Sequence, residues 1–138
     1  MTNYYKYLPT SDEDESWGLH VLNAGCNRIC KNEIYPSVQH PSHHYFTWNK
    51  GRILEEFQII YIAKGEGIFE SAGNRKSIVR EGTILLLFPG EWHRFKPNIK
   101  TGWDEYWVGF KGPIMENLVQ QKFFHQRKYV RDTFQNFL

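Results

Sequence analysis

The stretch Gly82–Phe95, GTILLLFPGEWHRF, decides how the chain is read. Ile84–Phe88 is an unbroken apolar run of strand length, closed by Gly82 on one side and Pro89-Gly90 on the other. Such a run suits a strand covered on both faces, although periodicity alone leaves a short buried helix open. The Pro-Gly bend then re-aims Trp92, His93 and Phe95. A second strand, Phe57–Ala63, precedes it and stops at KGEG (64–67), which reads as a tight turn.

Working outward, the pattern from Arg52 onward is a β-meander. Strands are predicted near 53–63, 67–71, 76–79, 83–88, 91–96 and 103–110, with turns at 64–66, 72–75, 80–82, 89–90 and 97–102. Short strands at this spacing argue for an antiparallel sandwich or barrel. Upstream, residues 1–16 read as a loose polar arm carrying the acidic run Asp12–Glu15, with Tyr4, Tyr5, Tyr7 and Leu8 as an anchor. Trp17–Ile29 reads as a first strand, 31–41 as a turn-rich connection, and Tyr45–Trp48 as a short strand. Downstream the grammar changes. Pro113 stands where a first helical residue is favoured, and Met115, Leu118, Val119 and Phe123 follow at helical spacing. A second short helix is predicted over 129–138. The organisation expected is therefore an arm (1–16), a barrel (17–112) and a helical segment (113–138).

Composition narrows the function classes. At 138 residues the chain fits one domain with a sizeable core. Its net charge is only +2 and its basic residues are scattered, which makes no electrostatic case for nucleic acid. Aromatic residues make up 17%, which suits packed β structure or an aromatic-lined pocket. No stretch approaches the ~20 apolar residues of a membrane span, and the N-terminus lacks a hydrophobic leader, so a cytoplasmic location is expected. Cys26 and Cys30 make neither a disulfide framework nor a zinc knuckle, and two cytosolic thiols are the reading.

Gly82, Gly90 and His93 fit the offsets of the second cupin motif, with Pro89 one place later than the motif's proline. In the first cupin motif, Gln58 stands in the glutamate slot, and Arg52 and Leu54 stand in the histidine slots. The metal triad is missing, so no metal or cofactor is expected. Three blocks, GRILEEFQIIYIAKGEGIFES (51–71), REGTILLLFPGEWHRFKP (80–97) and TGWDEYWVGFKGP (101–113), together with HVLNAG (20–25), resemble the N-terminal sensor and dimerisation domain of AraC-type transcription regulators. The resemblance covers most of 17–124. It implies a mainly β fold: a cupin-like antiparallel barrel of the jelly-roll type, followed by one or two helices. It also implies a small-molecule effector, often a sugar, inside the barrel, an arm able to close over it, and a homodimer. DNA would be bound through a C-terminal helix-turn-helix pair. No such pair lies within the 138 residues, so the resemblance implies an excised sensor half or a truncated form.

Strand parity turns this into a candidate site. If the first-motif slots face inward, Arg52, Leu54, Gln58, Ile60 and Ile62 share the interior, with His93 and Phe95 on the second-motif strand. The resemblance adds Glu105, Trp107 and Gly109. Buried charge is costly unless paired, so an interior holding Arg52, Gln58, His93 and Glu105 asks for a partner or a ligand. Trp107 offers a flat face for ring C–H groups, with Gly109 leaving room beside it. One cation and one anion favour a neutral ligand. Asn27 aligns with a polar ligand-side position of the family's first strand. The ligand-binding set is thus Arg52, Gln58, His93, Phe95, Glu105 and Trp107, with no catalytic residue.

Each assignment has a plainer rival. Trp107 also suits an ordinary core aromatic, Arg52 and Glu105 a structural ion pair, and His93 a hydrogen bond to a carbonyl in the bend. Trp103 suits either a lid or a packing role. His40, His43 and His44 are three nearby imidazoles of the kind that hold a metal, but no Cys or carboxylate follows at ligand spacing, and the plainer reading is a solvent-facing turn beside the barrel opening. Two other functions stay open: a metal-dependent cupin enzyme, and a barrel that only dimerises.

Overall fold

The computed structural model describes residues 3–36, 46–124 and 130–132. The chain is mainly β, as predicted: a curled antiparallel sheet that closes half-way into a barrel. Its strands are β1 (Tyr4–Tyr7), β2 (His20–Ile29), β3 (Arg52–Ile53), β4 (Phe57–Ser71), β5 (Asn74–Arg80), β6 (Thr83–Leu87), β7 (Trp92–Pro97), β8 (Trp103–Lys111) and β9 (Val130–Asp132). Two short helices, α1 (Asp12–Ser16) and α2 (Pro113–Gln120), complete the described elements.

β4 is the spine. Its first half pairs with β8 and β6, Ile60 facing Trp107 and Leu85. Its second half pairs with β7 and β5, Phe69 facing Phe95 and Ser77. The turn expected at 64–66 is instead the place where one continuous strand changes partners. A register shift between Ile62 and Lys64 bends it there. Gly65 takes φ +87°, and a Cβ on Gly67 would strike the Lys96 carbonyl. The glycines signal a bend with close backbone approach, which sequence grammar cannot tell from a chain reversal.

Alternation then sorts the side chains. Gln58, Ile60 and Ile62 are inside and at most 2% exposed, while Ile59 and Tyr61 between them are 36% and 38% exposed. The core is aromatic at one end, where Phe57 stacks on Phe110 at 5.7 Å and meets Phe88 edge-on at 5.8 Å. α2 starts at Gly112, whose φ of +145° turns the chain, and buries Met115, with Leu118 and Val119 partly covered against the core. Phe123, expected on the same stripe, is 68% exposed because the helix ends at Gln120 and Lys122 takes a positive φ.

Several expectations need correction. The arm is not loose: β1 pairs along β2, Tyr7 opposite Asn23, and Ser11 caps α1 with a reciprocal Ser11–Asp14 box. The acidic run is that helix, favoured because carboxylates suit a helix N-terminus. The first strand begins at His20 rather than Trp17. The strand expected at 45–48 is reduced to a single bridge, Thr47 to Gly51, within a turn. Within the helix expected over 129–138, residues 130–132 form β9 against β6; the remainder lies outside the described residues, as does the histidine cluster.

Candidate functional site

The interior is built on β2, β3, β4, β7 and β8. Arg52 and His93 are register partners on β3 and β7, so their side chains meet across the ladder. Arg52 Nε donates to His93 Nε2 at 2.8 Å, and its Nη2 donates to Gln58 Oε1 at 3.3 Å. The guanidinium sits 5.0 Å from the Phe46 ring centre and 5.1 Å from that of Phe95. Burial lowers the Arg52 pKa to about 10, which still leaves it charged at neutral pH.

His93 is 1% exposed. With Nε2 accepting from Arg52, its proton belongs on Nδ1, which faces the Glu91 carbonyl at 3.3 Å. Burial, and then the nearby guanidinium, push its pKa down to about 3, so it stays neutral. The carbonyl contact in the bend that the plainer reading foresaw is therefore present, and His93 has a second role as acceptor from Arg52.

Glu105, 2% exposed, sits opposite Asn27, whose Nδ2 donates to Oε1 at 3.1 Å. Tyr35 Oη donates to Oε2 at 3.5 Å. Burial raises the Glu105 pKa to about 7, against the opposing pull of Asn27, Arg52, Trp103 and Tyr35. The Trp103 indole N–H leans toward this carboxylate without reaching hydrogen-bond geometry, and it is buried with no hydrogen-bond partner among the described residues. Arg52 and Glu105 feel each other's charge, while each is held by neutral hydrogen-bond partners.

All six predicted residues therefore face one interior: Gln58, His93 and Glu105 at 2% exposure or less, Phe95 and Trp107 buried, and Arg52 half-buried. Two details differ from expectation. Trp107 lies against Gly25, where a Cβ would enter the indole ring. Gly109 makes room not for the indole but for Glu56 and Asn23, whose Nδ2 donates to Glu56 Oε2 at 2.7 Å. Trp103 is 2% exposed and packs against Phe95 at 6.0 Å, deep rather than at the rim.

Sequence reasoning missed Tyr35, Glu56 and Asn23. Tyr35 came from a connection read only as turn-rich, and Glu56 from the break before β4. Asn23 carried a usable signal: it is two alternations from Asn27 on the same strand. Among the described residues, no group of three His, Cys, Asp or Glu side chains gathers as a metal ion requires. Nor is any described helix long and apolar enough to cross a membrane.

A half-closed antiparallel barrel with its polar groups turned inward defines the cupin class, and the comparisons with known proteins agree. The model of the AraC-like ligand binding domain matches residues 32–136, and the chain belongs to that family. No curated protein matches it. Among solved structures it is similar to YhaK from Escherichia coli, at 11% identity and a TM-score of 0.53, over 80% of this chain and 45% of that one. It is also similar to the Cnp3 cupin domain of Schizosaccharomyces pombe, at 11% identity and a TM-score of 0.50, over 88% of this chain and 75% of that one. These likenesses concern the fold alone, and the chain spans less than half the length of YhaK.

Proposed function

We propose that this domain is the ligand-sensing and dimerising part of a cytoplasmic AraC-type transcription regulator, and that it is not an enzyme. Its effector is a small neutral molecule bearing hydroxyls, such as a sugar, held inside the barrel. The observation that carries the reading is the buried polar interior of a chain in the AraC-like ligand binding domain family: Arg52, Gln58, His93, Asn27 and Glu105 on facing strands. Arg52 supplies donors, Glu105 and Asn27 an acceptor and an amide, and the aromatic rings an apolar wall. With His93 neutral, the Arg52 cation is opposed by Glu105, whose ionisation burial disfavours, and by Glu56, so no strong charge of either sign is left over, which favours an uncharged ligand. DNA binding would belong to another part of such a regulator, and the effector would act by binding one arrangement of it better than another.

The test is a thermal-shift screen against mono- and disaccharides, with divalent metals as a separate arm. A ligand at ~100 times its Kd adds ~2.7 kcal/mol. A sugar that stabilises the wild type but not Trp107→Phe or Asn27→Ala supports the reading. A response to metal alone would move the reading to a metal-dependent enzyme.

A second reading has its own support. Several interior groups already pair with one another through the Arg52–His93, Arg52–Gln58 and Asn27–Glu105 bonds, as a barrel that only dimerises would require. A chain that sediments as a dimer and responds to no small molecule would favour it.

A further inference from the structure

Tyr35 is placed unlike the loop residues around it. Residues 31–34 are exposed, Ile34 at 84%, yet Tyr35 turns its ring into the interior. There it meets Phe46 edge-on at 6.1 Å, Trp103 edge-on at 6.1 Å and Phe95 at 6.3 Å. Its hydroxyl reaches Glu105 at the long distance of 3.5 Å. A hydroxylated ring thus stands in an aromatic cage beside the carboxylate of the candidate site.

Before Tyr35 the described part of the loop is tied at a few points, and Pro36 after it is buried. Asn32 N–H bonds to the Ile99 carbonyl at 2.8 Å, and Cys30 and Glu33 close a local turn on themselves. On the other side of Tyr35 lies a groove of about 740 Å³, walled by Ile34, Ile68, Ile78 and Ile99 and flanked by the charged Glu66, Arg80 and Lys96. The groove offers room for the ring against its isoleucine wall, with polar groups at its margin for the hydroxyl.

We infer that Tyr35 is a built-in plug that occupies the effector's place, and that the effector is a neutral six-membered ring bearing a hydroxyl, which displaces Tyr35 from the Phe46–Phe95–Trp103 cage into the outer groove. The inference rests on the reading of the interior as a ligand site. A hydroxyl is the group that fits, because it can accept from the buried Trp103 N–H, which lacks a hydrogen-bond partner among the described residues, and donate to Glu105. A carboxylate would bring a second negative charge beside Glu105 and could bind only with Glu105 protonated, at the cost of desolvating it. Two sources share this chemistry: a phenol, whose ring copies Tyr35, and a pyranose.

The plug lowers apparent affinity by the fraction of molecules in which the cage is open, so removing it must tighten binding. The probes are p-cresol and a panel of aldohexoses, titrated calorimetrically into wild type, Tyr35→Ala and Tyr35→Phe. One probe class is expected to bind Tyr35→Ala at least about tenfold tighter than wild type, a ratio set by the population argument. Tyr35→Phe, which keeps the cage filled but loses the Glu105 contact, is expected between the two and keeps the test open should the alanine variant fold poorly. In wild type the bound probe is expected to speed tryptic cleavage after the exposed Lys31 as the loop swings out. p-Cresol binding identifies a phenol effector, and hexose binding a sugar. Equal affinities in the variants, or Lys31 cleavage unchanged by a bound probe, overturn the plug while leaving the ligand site standing. No binding of either class to any of the three proteins overturns the inference, and the broader screen then decides the ligand-binding reading separately.

Discussion

Two arginines of this domain, each held between two aromatic rings, show what burial does to the same chemistry. Arg52 lies inside, near Phe46 and Phe95, with neutral hydrogen-bond acceptors on His93 and Gln58. Arg94 lies on the opposite face of β7, 4.2 Å from the Trp48 ring centre and 5.4 Å from that of Trp92. It donates to Glu70 at 2.7 and 2.9 Å and to the Trp48 carbonyl at 3.0 Å. The outer arginine joins a strand to the 46–51 turn in the presence of water. The inner one organises a set of groups from which water is largely excluded, and its charge shifts the ionisation of its neighbours. The same residue type thus serves as a clasp on one face and as the centre of an electrostatic unit on the other.

The largest effect expected from breaking this comparison is that of Arg52→Ala. It would leave His93 Nε2 and Gln58 Oε1 without the guanidinium and open a void between two rings. Each buried acceptor left without its donor costs about 1–3 kcal/mol, and here two are left. Urea unfolding should show the loss as a lower midpoint at unchanged slope. A loss no greater than that for Arg94→Ala would mean the interior is wetter than its geometry implies.

The next effect is the pH dependence of stability, in which two inner groups oppose each other. Glu105 goes from 4.5 unfolded to about 7 folded, so its contribution is present below pH ~4.5 and is lost as pH rises through 7. His93 goes from 6.5 to about 3, so its contribution is present above 6.5 and is lost as pH falls toward 3. Between pH ~4.5 and ~6.5 the two slopes cancel in part. Glu105→Gln removes the falling slope, so that variant should gain stability relative to wild type as pH rises from 4.5 to 7. His93→Gln should do the reverse. Urea midpoints across pH 4.5–8 check this, and profiles parallel to wild type would show that neither group titrates as its burial requires.

The contrast between the two faces also marks how far the sequence could be read. The alternation that put Gln58, His93 and Glu105 inside is a backbone property, and it held because β4, β7 and β8 are regular strands there. What alternation cannot carry is contact across a break. Tyr35 reaches Glu105 from 70 positions away out of a loop, and Glu56 meets Asn23 from the gap between β3 and β4. Those approaches depend on three-dimensional closure and leave no periodic trace. The misread of 64–67 is of another kind: Gly65 and Gly67 mark a place where backbones come within contact of one another, which looks in sequence like a turn. The same ambiguity hid β1, because tyrosines on an edge strand exposed to solvent give no alternation of burial to recognise.

The outer clasp gives the smaller effects. Arg94→Ala should cost about 1 kcal/mol, the sum of a partly exposed ion pair and a cation–π contact. Lys96, 4.2 Å from the same Trp48 ring, remains to hold part of the stack. The loss should appear as faster amide exchange around the 46–51 turn, with little change on β8. Salt then separates the two arginines most finely. The Arg94–Glu70 side chains are about a quarter exposed, so ions can reach them. Raising salt to 1 M shortens the screening length from ~10 Å to ~3 Å. The coupling from an Arg94/Glu70 double-mutant cycle, expected at about 0.5 kcal/mol at low salt, should fall toward zero, whereas the cost of Arg52→Ala should stay the same. If both costs fall together, the inner arginine is reached by ions too, and the distinction between clasp and electrostatic centre would be one of degree.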